Sequence, residues 1–266
     1  MKQEIIKHTG DCPWGQHIAW FDSIDSTNTY AKELALSGAP HGTVIAAHHQ
    51  TGGRGRMGRS FHSPSGKGIY LSFLLRPECP PQNLMHLTCA VGVAVCDAIE
   101  NVTGFRPGIK WINDLVAGKQ KLGGILTELS TDPSTGLVRS AVVGIGINCS
   151  HAKEDFPPEL RDIAVSLAQF TGKSIDQAKL LGVMIQSISD MYDRLFSQRD
   201  GLIEQYRHDC ITIGQTVQVI RADEVRPAEA IDIDSDGGLW VRYPDGTEEC
   251  VNSGEVSIRG MYGYIS

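Results

Sequence analysis

Three features of this 266-residue sequence predict an α+β protein, a large part in which strands and helices intermix followed by a small all-β part. The first is a pair of β-prone runs, Thr43–Ala47 and Ile69–Leu75, joined by a loop dense in glycine and arginine. The second is a pair of long stretches, Leu84–Val102 and Asp176–Arg199, whose apolar residues recur at helical spacing. The third is a change of texture at Ile213-Gly214, after which short β-prone runs alternate with hairpin turns. The length suits one large domain with a smaller one, and the texture change places them at residues 1–211 and 212–266. Each part is expected to have its own core.

In chain order, residues 1–16 carry no clear pattern. His17–Ile24 alternates in the manner of a strand. Asp25-Ser26-Thr27-Asn28 precedes a short amphipathic helix that Gly38 stops. These four are ordinary N-cap residues, yet a packed run of hydrogen-bonding side chains at a helix start can also grip a polar ligand. After the strand Ile69–Leu75, Pro77–Pro81 makes a turn, and Leu84, Leu87, Val91, Val95 and Ile99 stripe a packed helix. Ile109–Val116 reads as one strand and Lys121–Leu129 as the next, with Gly118 at a hairpin turn. That pairing clusters Lys110, Asn113, Asp114 and Lys121 beside Trp111. Ser140–Asn148 is a further strand. Its Gly144 and Gly146 alternate with large aliphatics and leave one face bare for a flat ligand or a neighbouring backbone. His151–Pro158 is a loop, Ala164–Gly172 a short helix and Asp176–Arg199 the longest helix, with Leu181, Met184, Ile188 and Met191 on its core stripe. Leu202–Asp209 continues helically. Thr216–Arg221, Ala228–Ile233, Leu239–Tyr243, Glu249–Asn252 and Glu255–Arg259 then form a small barrel or sandwich, with turns at Asp236-Gly237-Gly238 and Pro244-Asp245-Gly246.

The loop Gln50–Arg59 holds four glycines and three arginines in ten positions. Glycine lets main-chain N–H groups approach a ligand. Arginine brings a permanent charge and a planar fork of donors. Together they make a cradle for an anion. Gly53-x-Gly55-x-x-Gly58 also matches the dinucleotide-binding pattern, but that site needs a helix directly after it. Here the turn-forming run Ser60–Gly68 and a strand follow, which excludes it. The chain has no Gly-x-x-x-x-Gly-Lys-Ser/Thr phosphate loop.

Net charge is −7, and residues 212–266 carry most of it, with four Lys and Arg against ten Asp and Glu. The acidic balance argues against a general nucleic-acid binder. The seven cysteines are scattered, with no Cys-x-x-Cys pair, as for reduced thiols in a cytoplasmic protein. Neither a signal-peptide core nor a run of about 18 apolar residues is found, so no membrane span is expected.

Taken together, four motifs resemble those of the biotin–protein ligase family: Ser26-Thr27-Asn28; Gln50 with Gly53-Arg54-Gly55-Arg56-x-Gly58-Arg59; Lys110-Trp111-x-Asn113-Asp114 followed by Lys121-x-x-Gly124; and Val143-Gly144-Ile145-Gly146-Ile147-Asn148. Gly254–Gly260 looks like the family's C-terminal barrel. Ile112 stands where the family usually has proline. The resemblance implies a mixed-sheet catalytic domain of the class II aminoacyl-tRNA synthetase/biotin ligase type, with a C-terminal SH3-like barrel. It also implies two reactions: biotin and ATP with Mg2+ give biotinyl-5′-adenylate, and a lysine of a biotin carboxyl carrier protein domain then attacks it.

By motif position, the resemblance implies that Ser26, Thr27, Asn28 and Gln50 hold the ureido ring, with the backbone of Gly53 and Gly55 of the loop, and that Gly124 is also among the biotin-binding residues. Arg54 and Arg56 face carboxyl and phosphate groups, and Lys121 bridges the carboxylate and the α-phosphate. Gly144 and Gly146 floor the site. Asn148 lies near adenine and Phe61 covers it, while Arg59, Lys110, Trp111 and Asn113 belong to the nucleotide side. Asp114 orients the acceptor lysine, helps deprotonate it, or helps place magnesium. No metal is held by protein ligands alone. Residues 1–17 are too few for the three-helix DNA-binding unit that some members carry. A ligase without that unit, binding neither nucleic acid nor membrane, is therefore expected, and a homodimer stays open. The rival readings are a lipoate–protein ligase and a non-enzymatic RNA-binding module built on Arg54–Arg59.

Overall fold

The structure is a computed structural model that describes residues 1–221 and 224–252, and the backbone of residues 257–260. Its centre is a seven-stranded sheet in the order β1-β2-β3-β7-β6-β5-β4. These strands are β1 (Ile18–Phe21), β2 (Thr43–Ala47), β3 (Gly68–Leu75), β4 (Gly108–Lys110), β5 (Asp114–Ala117), β6 (Gln120–Thr131) and β7 (Val138–Asn148). β1 runs parallel to β2 and all other neighbours are antiparallel, so the sheet is mixed. β2 and β3 are buried along their whole length, as near-continuous apolar runs require.

Two helices, α1 (Lys2–Ile6) and α2 (Thr27–Leu36), precede β2, and α2 packs on β2, β3 and β7. The core helix α3 (Leu87–Thr103) packs against α5 (Gln177–Arg194) and α6 (Arg199–Asp209), and the short α4 (Leu167–Thr171) precedes α5 in the chain. By length and hydropathy alone the helical stretch 81–103 could cross a membrane, but 67% of its apolar window is buried inside the protein, as in a core helix.

The second sheet is antiparallel, in the order β11-β10-β9-β8-β12, from β8 (Thr216–Arg221), β9 (Glu224–Ile233), β10 (Leu239–Arg242), β11 (Glu248–Val251) and β12 (Ser257–Gly260). Gly254, Glu255 and Val256, which open the last expected strand and the C-terminal motif, lie outside the described residues. β9 begins before Ala228 even though Pro227 lies within it.

Several expectations are corrected. The N-terminal segment is ordered, with Ile5 and Trp14 in the core; a five-residue helix is too short to show a period. Ile109–Val116 is not one strand. The chain turns at Trp111–Asn113, and the Trp111–Ile112 peptide, where the resemblance puts proline, is cis. Partners outside the sheet compete with the ladder there. The Trp111 backbone N–H donates to Thr212 Oγ1, its indole N–H to the Gly237 carbonyl, and the Tyr206 hydroxyl to the Ile112 carbonyl. The long helix ends at Arg194 rather than Arg199. The two sheets do not have separate cores, because Val217, Ala230, Leu239 and Val241 continue the apolar cluster of the large sheet.

Candidate functional site

A cleft of about 350 Å³ opens where the Gly/Arg loop, the N-terminus of α2 and the turn before β5 meet over the large sheet. Its floor follows from strand register. Antiparallel neighbours directly opposite one another share a face. One row across β3, β7 and β6 is Ser72–Gly144–Leu126, and the next is Tyr70–Gly146–Gly124. The bare face of β7 has occupants from the protein itself. A Cβ on Gly144 would lie 1.9 Å from Asn28 Oδ1, and one on Gly146 would lie 2.5 Å from Phe61 Cε1. Asn28 therefore sits on the first row and Phe61 on the second, where Phe61 meets Tyr70 edge to face at 6.4 Å.

One wall is neutral and polar. Ser26 is the N-cap of α2 and accepts from the Thr29 backbone N–H, so it does cap the helix. Thr27 and Asn28 are buried and turned inward. Thr27 donates through its backbone N–H and its hydroxyl to Gln50 Oε1, at 2.9 and 3.1 Å. Gln50 Nε2 donates to Ser63 Oγ at 3.0 Å, and Ser63 donates to the Phe61 carbonyl. The Asn28 amide donates to Glu128 and to the Leu126 carbonyl, while Ser72 Oγ lies 2.6 Å from Asn28 Oδ1.

The opposite wall is charged. The Gly/Arg loop is a small hairpin, with the Gly55 N–H donating to the Arg59 carbonyl and the Phe61 N–H to the Gly53 carbonyl. Gly53 must be glycine, since a Cβ would come within 2.4 Å of the Phe61 carbonyl oxygen. Arg56 reaches across the cleft and donates to Asn113 Oδ1 at 3.0 Å. Burial works against its charge, and the Asp114 carboxylate offsets part of that penalty. Lys121 Nζ lies 2.6 Å from Asp114 Oδ1. The two share the space above Gly124, where a Cβ would stand 3.3 Å from the carboxylate oxygen. Asp114 is the one carboxylate lining the cleft among the described residues.

Of the residues expected from sequence, Ser26, Thr27, Asn28, Gln50, Arg54, Gly55, Arg56, Arg59, Phe61, Lys110, Trp111, Asn113, Asp114, Lys121, Gly124, Gly144 and Gly146 line this one cleft. Gly53 is at the foot of the loop, not on the wall. Asn148 does not reach the cleft. It is buried, and its amide donates to the Val165 carbonyl at 3.2 Å, tying β7 to the segment that also pairs with Lys121. Sequence reasoning missed Ser63, Ser72 and Glu128. Ser72 carried a signal, as the lone polar residue in an apolar strand, and so did Glu128, as the one charge within Leu122–Leu129.

Comparisons with known proteins agree with this architecture. Residues 20–148 match the model of the "Biotin/lipoate A/B protein ligase family", and residues 212–259 match that of the "Biotin protein ligase C terminal domain". The chain is 38% identical over 239 residues to the "Bifunctional ligase/repressor BirA" of Bacillus spizizenii, covering 88% of this chain and 72% of that one. It is 31% identical to a "Biotin--[acetyl-CoA-carboxylase] ligase" of Mycobacterium tuberculosis, over 87% of this chain and 85% of that one. The structure of a biotin protein ligase from Aquifex aeolicus in complex with biotin and ATP superposes with a TM-score of 0.78 at 29% identity, over 92% of this chain and all of that one. The chain belongs to the biotin protein ligase family.

Proposed function

We propose that the cleft residues divide the family reaction, ATP-dependent activation of biotin and its transfer to protein, between a neutral wall and a charged one. The chain is a biotin–protein ligase. In the first step a biotin carboxylate oxygen attacks the α-phosphorus of ATP. The bond to the β-phosphate oxygen breaks, and pyrophosphate leaves with the electron pair. In the second step a lysine amine attacks the activated carbonyl, the bond to AMP breaks, an amide forms and the amine loses a proton. Neither step needs an enzyme nucleophile. Both need two anions brought together and growing negative charge held in place.

The observation that carries the reading is the polarity of the cleft. Thr27, Asn28 and Gln50 present hydroxyl and amide groups at one end, suited to a neutral ureido ring. Arg56 and Lys121 gather about Asn113 and Asp114 at the other end, and Arg54 and Lys110 also line the cleft. In our reading Ser26, Thr27, Asn28 and Gln50 hold the ring, and the backbone of Gly53 and Gly55 lies against it. Lys121 spans carboxylate and α-phosphate, with Gly124 leaving room for it, and Arg54 and Arg56 close over both. Phe61, Arg59, Trp111 and Asn113 form the nucleotide end. Gly144 and Gly146 act by making room for Asn28 and Phe61. Asn148 has a holding role outside the cleft.

Magnesium, when bound with ATP, would supply further charge neutralisation on the phosphates. The cleft fits a protein-held ion poorly, because its carboxylate Asp114 is already engaged by Lys121 and Asn113. The acceptor we assign is a lysine of a biotin carboxyl carrier protein domain. The boundary at residue 212 divides catalytic from C-terminal domain. Seven free thiols suit a reducing compartment, and we place the reaction in the cytoplasm. The test is to incubate the protein with ATP, the carrier domain, and radiolabelled biotin or lipoate. Label on the carrier lysine with biotin alone is expected. Equal labelling with lipoate would overturn the assignment of substrate.

A further inference from the structure

Glu128 lies on β6 outside the cleft lining, yet it governs a buried run of polar groups that ends there. Its two carboxylate oxygens are engaged separately, Oε1 by Lys32 Nζ at 2.8 Å and Oε2 by Asn28 Nδ2 at 2.9 Å. Burial opposes its charge, but the bonds from Lys32 and Asn28 win and hold the carboxyl below its ordinary range. An ionised carboxylate only accepts hydrogen bonds. The Leu126 carbonyl, 3.4 Å from the same Asn28 nitrogen, also only accepts. The Asn28 amide therefore has one orientation, nitrogen towards β6 and oxygen towards Ser72.

That orientation reaches Thr27. Ser72 has a single hydroxyl proton and two oxygen neighbours, Asn28 Oδ1 at 2.6 Å and Thr27 Oγ1 at 2.8 Å. With the Asn28 oxygen facing it, Ser72 has an acceptor at the shorter distance to take the proton. The Thr27 oxygen, whose own proton goes to Gln50, then keeps both lone pairs for ligand N–H groups. A flipped Asn28 would point a donor at Ser72, drive the Ser72 proton to Thr27 and occupy one of those two lone pairs, so that Thr27 becomes a poorer acceptor.

We propose that Glu128 is a positioning residue that sets the hydrogen-bond polarity of the biotin end of the cleft, acting through Asn28, Ser72 and Thr27. This rests on the assignment of that end to the ureido ring, whose N–H groups need acceptors. Glu128→Gln keeps shape and volume but can donate, so it permits the flipped Asn28.

The experiment is biotin- and ATP-dependent pyrophosphate exchange by wild type, Glu128→Gln, Glu128→Asp, Thr27→Val and the double variant Glu128→Gln/Thr27→Val, with thermal unfolding followed in parallel. For Glu128→Gln, KM for biotin should rise about tenfold, the effect of one hydrogen bond, with kcat and KM for ATP within twofold of wild type. Glu128→Asp keeps an acceptor and should recover most of the loss. In the Thr27→Val background Glu128→Gln should add nothing, because residues acting through one another are non-additive. Unchanged KM for biotin, equal losses in KM for biotin and ATP, or fully additive effects would overturn the inference and leave the assigned function standing. Wild type that exchanges no pyrophosphate with biotin would overturn the assigned function and this inference with it.

Discussion

Replacing Gly144 with alanine tests the floor of the cleft at one atom. The new Cβ would stand 1.9 Å from Asn28 Oδ1 and 2.7 Å from its Cγ, about 1.5 Å short of an ordinary 3.4 Å contact. Asn28 cannot swing aside freely. Its side chain is tied to Ser72, Glu128 and Leu126, and the residue is buried. Moving it breaks up to three hydrogen bonds at about 1 kcal/mol each, and overpacking a core by a methyl costs about 1–3 kcal/mol. Relaxation of the helix start recovers part of this, so a loss of about 2–3 kcal/mol is expected, or roughly 5–10 °C in Tm for a chain of this size. Because we assign Asn28 to the biotin end, KM for biotin should rise about 10- to 100-fold with KM for ATP little changed. Gly146→Ala is the control. Its Cβ meets the ring of Phe61 at 2.5 Å, and Phe61 is half-buried on a loop that can shift. It should raise KM for ATP instead, at little cost in Tm. Pyrophosphate exchange at varied biotin and ATP, with calorimetry, measures all three quantities in both variants. Wild-type Tm and wild-type biotin KM in Gly144→Ala would refute the placement of Asn28 on this row.

Arg56→Gly removes the side chain that donates across the cleft to Asn113. Losing a charge-assisted hydrogen bond of roughly 1.5–3 kcal/mol should speed adenylate escape about 10- to 100-fold. A blot for biotin on an unrelated lysine-rich bystander protein should then show labelling that the wild type does not give. His151 is 1% exposed and stacked on Phe156. Burial, with His62 next, holds its pKa at about 4, down from 6.5. Above pH 6.5 folded and unfolded forms are both neutral there. As pH falls towards 4 the unfolded chain binds the proton first, so stability is lost across that window, by up to about 3 kcal/mol. The urea midpoint should drop between pH 7 and pH 5 in wild type, and less in His151→Leu; equal drops would remove His151 as the cause.

Much of the site was legible because its chemistry demands residue types that stand out in sequence. Arginines among glycines, Lys121 three residues before Gly124, and alternating glycines in an aliphatic strand are visible without a fold. What stayed hidden was long-range. Trp111–Asn113 looked like strand because apolar residues in a row read alike in a ladder or in a buried turn. Only Thr212, Tyr206 and Gly237, distant in sequence, decide between them. Asn148 ends the Val143–Asn148 motif, but whether its amide faces the cleft or Val165 depends on a segment 17 residues away. Glu128 shows no partner locally, since Lys32 and Asn28 are 96 and 100 residues distant. The continuity of the two cores was invisible for the same reason, because a composition break marks a change of element type, not a gap in packing.

The central claim is that the charged wall joins a carboxylate to the α-phosphate, with Lys121 as the bridging cation. Pyrophosphate exchange into ATP, with and without biotin, in wild type and Lys121→Ala, measures it most directly. Exchange that requires biotin, and that falls about a hundredfold in the variant as expected for losing one preorganised charge of about 3 kcal/mol, is the predicted result. Exchange independent of biotin, or undiminished in Lys121→Ala, would contradict it.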